Sequence, residues 1–297
     1  MDLLTPFLEY LKFEKRASAH TIISYETDLK QFFEYQNKHF SIEKLEDIEL
    51  THIRNWVFNL IESEKNGSKT VNRKLSSLKA IFKYYLKEGK IKENPTLQIS
   101  SPKIPKRVPQ YIEEDDMKNL FQSDLFENSF EGKRDQAILE LFYATGMRVS
   151  ELIQITFSAI DLYDCSVKVL GKRNKERIIP FGKTAKVTLE NYFSIFEQQF
   201  GEINKNCCIF VTSKNNKLSP KSVYKIVRRY LDMITTIDKR SPHIIRHTFA
   251  THLLNHGADI NAIKEILGHT SLAATQIYTH NSIEKLKSIY QQAHPRA

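Results

Sequence analysis

The sequence predicts a mainly α-helical protein in two parts: a small helical domain, then a larger, mostly helical domain that carries a short β-hairpin. Three observations predict it. Apolar residues recur at three- and four-residue steps through residues 1–89, the spacing of one helix face. A segment with four prolines, KENPTLQISSPKIPKRVPQ (92–110), then loses that periodicity. Beyond it helical spacing returns, interrupted by SVKVLGKRNKERIIPF, which reads as two strands around a polar turn. A chain of 297 residues is long enough to build a sizeable core in each part.

Taken in order, Phe7, Leu8 and Leu11 mark a first amphipathic turn pattern. The second helix opens at Thr21, with Ile22, Tyr25, Leu29, Phe32 and Phe33 on its apolar face. The third runs from Thr51 to Glu62 around Ile53, Trp56, Val57 and Leu60. After the turn signal Asn66–Gly67–Ser68, a fourth runs from Thr70 to Glu88 with Val71, Leu75, Leu78, Phe82 and Tyr85 as its core face. At about 100° per residue, Lys69, Arg73, Lys83 and Lys87 fall on the opposite side. Residues 90–107 read as an extended linker and 108–297 as the second domain. There EGKRDQAILELFYATG reads as a helix ended by Thr145–Gly146, and VSELIQI opens another. Helices resume near Lys183, at 219–235, at 241–257 and in the last twenty residues.

A net charge of +9 favours a polyanionic partner, and its distribution says more than its total. From Lys65 to Lys92, nine Lys and Arg stand against one acid, Glu88, where a merely solvated helix would interleave Glu. The stripe of Lys69, Arg73, Lys83 and Lys87 is accordingly read as contacting nucleic acid, the alternative being a solvated charged face. No apolar run approaches the ~20 residues a membrane-spanning helix needs. The N-terminus lacks the basic start, apolar stretch and cleavage site of a signal peptide. Three cysteines, Cys165, Cys207 and Cys208, show no CxxC spacing. The chain is expected in the cytoplasm, with no membrane partner and no disulfide framework.

The stretch SPHIIRHTFATHLLNHG (241–257) gathers His243, His247, His252 and His256 around Arg246. Histidines four apart could face one ion on a helix. Against this, no HExxH-type glutamate is present, no Cys or Asp completes a shell, and Arg246 would set a permanent positive charge beside the cation. No metal is expected. Arginine suits phosphate, which it meets in two parallel hydrogen bonds. Phosphoryl transfer needs charge stabilisation, a nucleophile and a proton for the leaving group. A second arginine, Arg148 in ATGMRVSEL, follows the helix-ending Thr–Gly, a placement that aims its side chain and free backbone N–H groups at an anion. Lacking a Walker-type GxxxxGK[ST], the chain is not expected to bind a nucleoside triphosphate. Downstream, EILGHTSLAATQIYTH places His269 after a glycine and Tyr278 nine residues later. Beside two arginines, two histidines and a hairpin lysine, Tyr278 is a candidate nucleophile.

In these boxes the sequence resembles the tyrosine recombinase family, and within it the Xer subgroup of bacterial chromosome-dimer resolvases. TGMRVSEL resembles the first arginine box, VLGKRNKERIIP the lysine hairpin, HIIRHTFATHLL the His-x-x-Arg box, and LGHTSLAATQIYTH the box with the second histidine and the tyrosine. KRASAHTIISYETDLKQFFEY resembles the opening of the family's DNA-clamping domain, with KRAS where relatives commonly show Gly-Leu-Ser, and AHPRA resembles the Xer tail. The resemblance covers essentially the whole chain. It implies a four-helix, SAM-like core-binding domain and a catalytic domain that together form a C-shaped clamp on double-stranded DNA. It also implies a reaction without metal, ATP or other cofactor, through a 3′-phosphotyrosyl intermediate that releases a 5′-hydroxyl.

The resemblance assigns Tyr278 as nucleophile and His243 as the group that takes its proton. It assigns Arg148 and Arg246 to the non-bridging phosphate oxygens, His269 to a further hydrogen bond there, and Lys172 to protonation of the leaving 5′-oxygen. Lys175 of the same turn is the rival to Lys172. Glu151, three residues past Arg148, is expected to orient it, although a glutamate favoured by the helix macrodipole would look the same. His247, His252 and His256 are expected to be structural or DNA-facing, and His280 to lie outside the immediate site. Implied partners are a dif-like DNA site, a tetramer of this recombinase alone or with a sister, and a septal DNA translocase. The tail, 279–297, carries Ile283, Leu286, Ile289 and Tyr290 at helical steps and is too short to stand alone in water. Its cover is either its own domain or, as the resemblance implies, a neighbouring recombinase. Three competing readings remain. A mobile-element integrase would share the chemistry but often adds an arm-binding domain, not expected ahead of Met1. The tail speaks against a type IB topoisomerase, and the complete catalytic set against a non-catalytic, sequence-specific DNA-binding protein.

Overall fold

The computed structural model of the chain describes residues 3–105, 110–122, 124–171, 175–268 and 280–297, the side chains of 280–283 and 285 apart. It divides into two compact units, Met1–Arg107 and Val108–Ala297, each with its own core.

The first unit is helical. α1 (Thr5–Glu9) runs on as a π-helical turn, Tyr10–Glu14. α2 (Ala19–Phe40), α3 (Leu50–Glu62) and α4 (Ser68–Lys87) follow. α2 begins two residues ahead of the expected Thr21 because Ser18 is its N-cap, its side chain accepting the Thr21 N–H. The apolar faces read from the spacing meet in one cluster: Phe7, Leu29, Phe32, Ile53, Trp56, Leu60, Val71, Leu75, Leu78, Phe82 and Tyr85 are all buried. Phe32 and Trp56 meet edge to face at 4.8 Å.

The segment read as an extended linker starts inside this core. Ile91 and Ile99 are buried in it, and Pro95–Gln98 forms a 3₁₀ turn capped by Asn94. Asn72 Nδ2 donates to the Pro102 carbonyl and Lys79 Nζ to that of Ile99. Prolines there shape a packed turn, because the flanking isoleucines have apolar surface to bury.

One buried charge network joins α2 to α4. Asp28, 1% exposed, accepts from Arg73, from Lys74 Nζ at 3.5 Å and from Ser77 Oγ at 3.0 Å. Arg73 also donates to Ser24 Oγ, and Lys74 to Gln31. A carboxylate taken out of water needs such partners.

The second unit is built around α6 (Phe130–Thr145), which buries thirteen of its sixteen residues. A helix covered on every side must be central. It packs against α8 (Lys183–Phe200) and α10 (Pro242–Asn255). α5 (Glu114–Gln122), α9 (Pro220–Ile234), α11 (Ile260–Leu267) and α12 (His280–Ala293) complete the layer. α5 and α11 were not expected from the sequence, being nine and eight residues long and close to the shortest patterns that periodicity can detect. α7 (Val149–Leu152), expected at VSELIQI, is a single turn.

The predicted hairpin is β2 (Ser166–Leu170) and β3 (Glu176–Pro180), antiparallel with Val167 opposite Ile179 and Val169 opposite Arg177. A two-residue strand, β1 (Ile160–Asp161), adds to β2 and makes the sheet three-stranded. The tail's cover in this chain is its own unit. Leu286, Tyr290 and Ala293 join the core, and Arg296 meets Glu140 in two hydrogen bonds of 2.9 Å.

Replacing Asp28 by alanine leaves the buried Lys74 ammonium without its carboxylate. The change is expected to destabilise the helical unit by about 3–5 kcal/mol, read as a lower urea midpoint in the fluorescence of Trp56, the chain's single tryptophan.

Candidate active site

The end of α11 organises the site. The last carbonyls of a helix lack intrahelical partners and form the negative end of its dipole. Here three arginines from three other elements take them. The Ile266 carbonyl accepts from Arg177 Nε at 2.8 Å, that of Leu267 from Arg246 Nη2 at 2.8 Å, and that of Gly268 from Arg148 Nη2 at 3.2 Å. Gly268 is left-handed (φ +66°), and a Cβ there would lie 3.1 Å from the Arg177 guanidinium. Both the turn and the close approach therefore require glycine.

Local sequence explains how each arginine arrives. Thr145–Gly146 ends α6 as predicted, with Gly146 at φ +58°. A Cβ on Gly146 would fall 2.4 Å from Phe249 and 2.8 Å from Leu267, so α10 and the end of α11 close directly on this turn. Arg148 is then the N-cap of α7. Arg246 lies one turn into α10, whose start is fixed by Pro242 at the first helical position. Its Nη1 donates to the Gly146 carbonyl at 2.6 Å. Arg177 comes from β3, on the same buried face as Ile179.

Glu151 joins two of the three. Its Oε1 accepts from Arg148 Nη1 at 2.9 Å and from Arg177 Nη1 at 2.8 Å, while Oε2 accepts from Arg177 Nη2 at 2.9 Å. The Arg148 backbone N–H donates to Glu151 Oε2 at 2.7 Å. That corrects one expectation: this N–H has an internal carboxylate as its anion, because Glu151 folds back over the first turn of α7.

The charges are crowded. Three guanidiniums stand against one carboxylate, an excess of two positive charges among the described residues. Burial, and then the neighbouring Arg148 charge, pulls Arg246 down from the ordinary arginine range to about 10, against the pull of Glu151. It remains charged at neutral pH. Burial alone would raise the Glu151 carboxyl, but hydrogen bonds and charge from Arg177, with Arg148 beside it, hold it below the ordinary 4.5. Fixed guanidiniums aimed into one place suit an anion with several oxygens, such as phosphate.

The other expected residues fall as follows. His243 is exposed on the first turn of α10, three residues before Arg246 and on the same side of the helix. The remaining histidines diverge: His252 is buried with Nδ1 2.8 Å from the Tyr143 hydroxyl, and His256 meets Glu114 at 2.8 Å. Lys175 is exposed, and its carbonyl closes the turn onto the Gly171 N–H at 2.8 Å. Lys172, His269 and Tyr278 lie outside the described residues. In the first unit Lys69, Lys83 and Lys87 are exposed, while Arg73 is tied to Asp28.

Sequence reasoning missed Arg177. It also missed the exposed basic face of α9, where Lys221, Lys225 and Arg228 oppose a buried Val223, Val227, Tyr230 and Leu231. The spacing of PKSVYKIVRRYL carried that signal.

A profile of the phage integrase family matches residues 110–285, and one of the N-terminal SAM-like domain of phage integrases matches residues 4–89. Across 297 aligned residues the chain is 39% identical to a tyrosine recombinase XerC of Anoxybacillus flavithermus, covering 99% of this chain and 98% of that one. The chain belongs to the phage integrase family, among its Xer-type tyrosine recombinases. A XerC of Thermodesulfovibrio yellowstonii is 40% identical to the recombinase, covering 98% and 96%. The recombinase breaks and rejoins DNA strands by tyrosine transesterification, and its N-terminal unit is a SAM-like domain. Its fold is that of XerH bound to palindromic difH substrate (TM-score 0.72, 21% identity, covering 96% of this chain and 83% of that one). It is also that of a lambda integrase dimer bound to a core site (TM-score 0.68, 19% identity, covering 93% and 98%).

Glu151→Gln is expected to cost about 3 kcal/mol near neutral pH, since two guanidiniums lose the carboxylate they share. The Glu151 carboxyl titrates lower folded than unfolded. Its contribution is therefore full above 4.5 and lost as pH falls through the folded value. Urea unfolding of recombinase and variant at descending pH should show their difference closing in acid; a constant difference would contradict the pairing.

Proposed function

We propose that the recombinase acts on chromosome dimers at a dif-like site before cell division, in a tetramer of its own copies or with a sister recombinase, under a septal DNA translocase. The reading places it in the cytoplasm with the chromosome. Its support is similarity to XerC relatives over nearly the full length of both chains, and XerH, of like fold, is described on a difH substrate.

The observation that carries the chemistry is the convergence of Arg148 and Arg246 on the Gly268 and Leu267 carbonyls, the two that immediately precede His269. On this reading both guanidiniums hold the non-bridging oxygens of the scissile phosphate, with Glu151 orienting Arg148 and His269 adding a hydrogen bond. The Tyr278 hydroxyl oxygen bonds to phosphorus, His243 takes the phenol proton, and the bond from phosphorus to the 5′-oxygen breaks. Lys172 gives that oxygen its proton. Free tyrosine titrates near 10, so a base must act as it attacks. The phosphotyrosine keeps the ester's energy, and religation runs the same steps backward with a 5′-hydroxyl as nucleophile.

In this reading the core-binding domain is 1–89 together with the segment through Ile99 that packs into its core, the linker is the remainder of 90–107, and the catalytic domain is 108–297, with Leu286, Tyr290 and Ala293 of the tail seated on that domain. Lys69, Arg73, Lys83 and Lys87 face the phosphate backbone, and Arg73 does so while anchored to Asp28.

Tyr278→Phe is expected to abolish covalent attachment to a short nicked duplex carrying a dif-like site, on a denaturing gel without added metal. DNA binding by mobility shift should stay within a few-fold, since only a hydroxyl is lost. Equal loss of both would count against Tyr278 as nucleophile. Charge reversal of Lys83 and Lys87 should weaken binding and flatten its salt slope by about 0.9 for each phosphate no longer neutralised; an unchanged slope would return the stripe to a solvated face.

A further inference from the structure

We propose that Arg177 is a positioning residue for strand cleavage, joining the first arginine box, the lysine turn and the segment that leads into His269 through one buried guanidinium. The proposal rests on the catalytic reading of Arg148, Lys172 and His269 given above, and adds a residue that touches no DNA.

Arg177 is 5% exposed and lies on the inner face of β3, opposite Val169. A hydrophobic side chain would serve the fold at such a place, and an arginine is costly there unless its donors are matched. They are matched by functional segments. Two nitrogens bridge both oxygens of Glu151, which in turn holds Arg148 by side chain and backbone. The third, Nε, takes the Ile266 carbonyl three residues before His269. Gly171, immediately before Lys172, lies against the same guanidinium, where a Cβ would be 3.4 Å from Nη1.

Glu151 faces three cations: Arg148 from α7, Arg177 from β3 and, further off, Arg246 from α10. The largest favourable contributions holding its carboxyl down come from Arg177. Losing Arg177 should therefore let Glu151 take a proton at higher pH and release Arg148. A merely structural arginine would not move the pH profile of the reaction.

The test uses the full chain and the nicked dif-like duplex, with Arg177→Gln and Arg177→Lys compared with the parent across pH. Covalent product should form about 100-fold more slowly in Arg177→Gln, as expected for a small misplacement of catalytic groups, while DNA binding changes by no more than a few-fold. The acid limb of its rate should also lie at higher pH than the parent's. Arg177→Lys keeps a charge beside Glu151 but cannot bridge both oxygens and reach Ile266; it should be about 10-fold slow, with the parent's pH profile. Parent-like rates and profiles in both variants overturn the proposal and leave the catalytic reading standing. So does a loss that tracks weakened binding and lowered melting temperature with no change in pH profile. If Arg177→Gln fails to fold, Arg177→Lys decides: about 10-fold slower covalent product at parent-like DNA binding and melting temperature supports the proposal, and a parent-like rate, or a loss that tracks weakened binding or lowered melting temperature, overturns it.

Discussion

Everything at the site depends on the carboxyl end of one eight-residue helix. α11 and its cap Gly268 offer three consecutive main-chain carbonyls, and Arg177, Arg246 and Arg148 each take one. A helix of that length is marginal by itself. Here it is held by Ala262, Ile263, Ile266 and Leu267 in the core and by an Asp259 cap at its start. Its end then fixes guanidiniums from α7, β3 and α10 relative to one another. Main-chain carbonyls suit that role, because they orient a guanidinium through strong dipoles yet cancel only part of its charge.

The same arrangement explains the roles of two small residues. Gly146 lets Phe249 and Leu267 close on the end of α6, so the Gly146 carbonyl can meet Arg246. Gly268 supplies the left-handed turn against which the Arg177 guanidinium packs. Neither glycine touches the chemistry. Each allows two chain segments to approach closely enough for an arginine to bridge them.

Much of this was legible in the sequence, and what was missed has physical reasons. Long amphipathic helices declared themselves because their periodic faces are their burial faces: Val71, Leu75, Leu78, Phe82 and Tyr85 are all buried. Glu151 as the partner of Arg148 was legible from three-residue spacing on a turn. Arg177 was not, because in a strand burial follows alternation and register. Only the pairing of Val169 with Arg177 and Val167 with Ile179 reveals an arginine facing inward. The two-residue β1 has no pattern of its own, and the packed turn at Pro95–Gln98 looks like linker until Ile91 and Ile99 are seen in the core. Arg73 counted with the outward stripe because helical angle cannot show that Asp28 waits on the neighbouring helix.

Asp28 and Glu151 make an informative pair. Each is a buried carboxylate shared by cations, but the excess charge is handled differently. At Asp28 the Arg73 side chain is 48% exposed, so water screens what the carboxylate does not. Around Glu151 the third guanidinium, Arg246, is screened by carbonyl dipoles, and its lowered proton affinity records burial first and then the neighbouring Arg148 charge. A phosphodiester in its ground state carries one negative charge. The five-coordinate arrangement reached during attack by an oxygen nucleophile gathers more on its non-bridging oxygens. On the proposed roles, an excess of two positive charges among the described residues is more than a resting diester neutralises and closer to what the transition state presents. Stabilisation that grows along the reaction lowers its barrier, whereas equal stabilisation of both states would only tighten binding. On those roles the under-compensated arginines favour the step in which the phosphate changes hands over the mere holding of DNA.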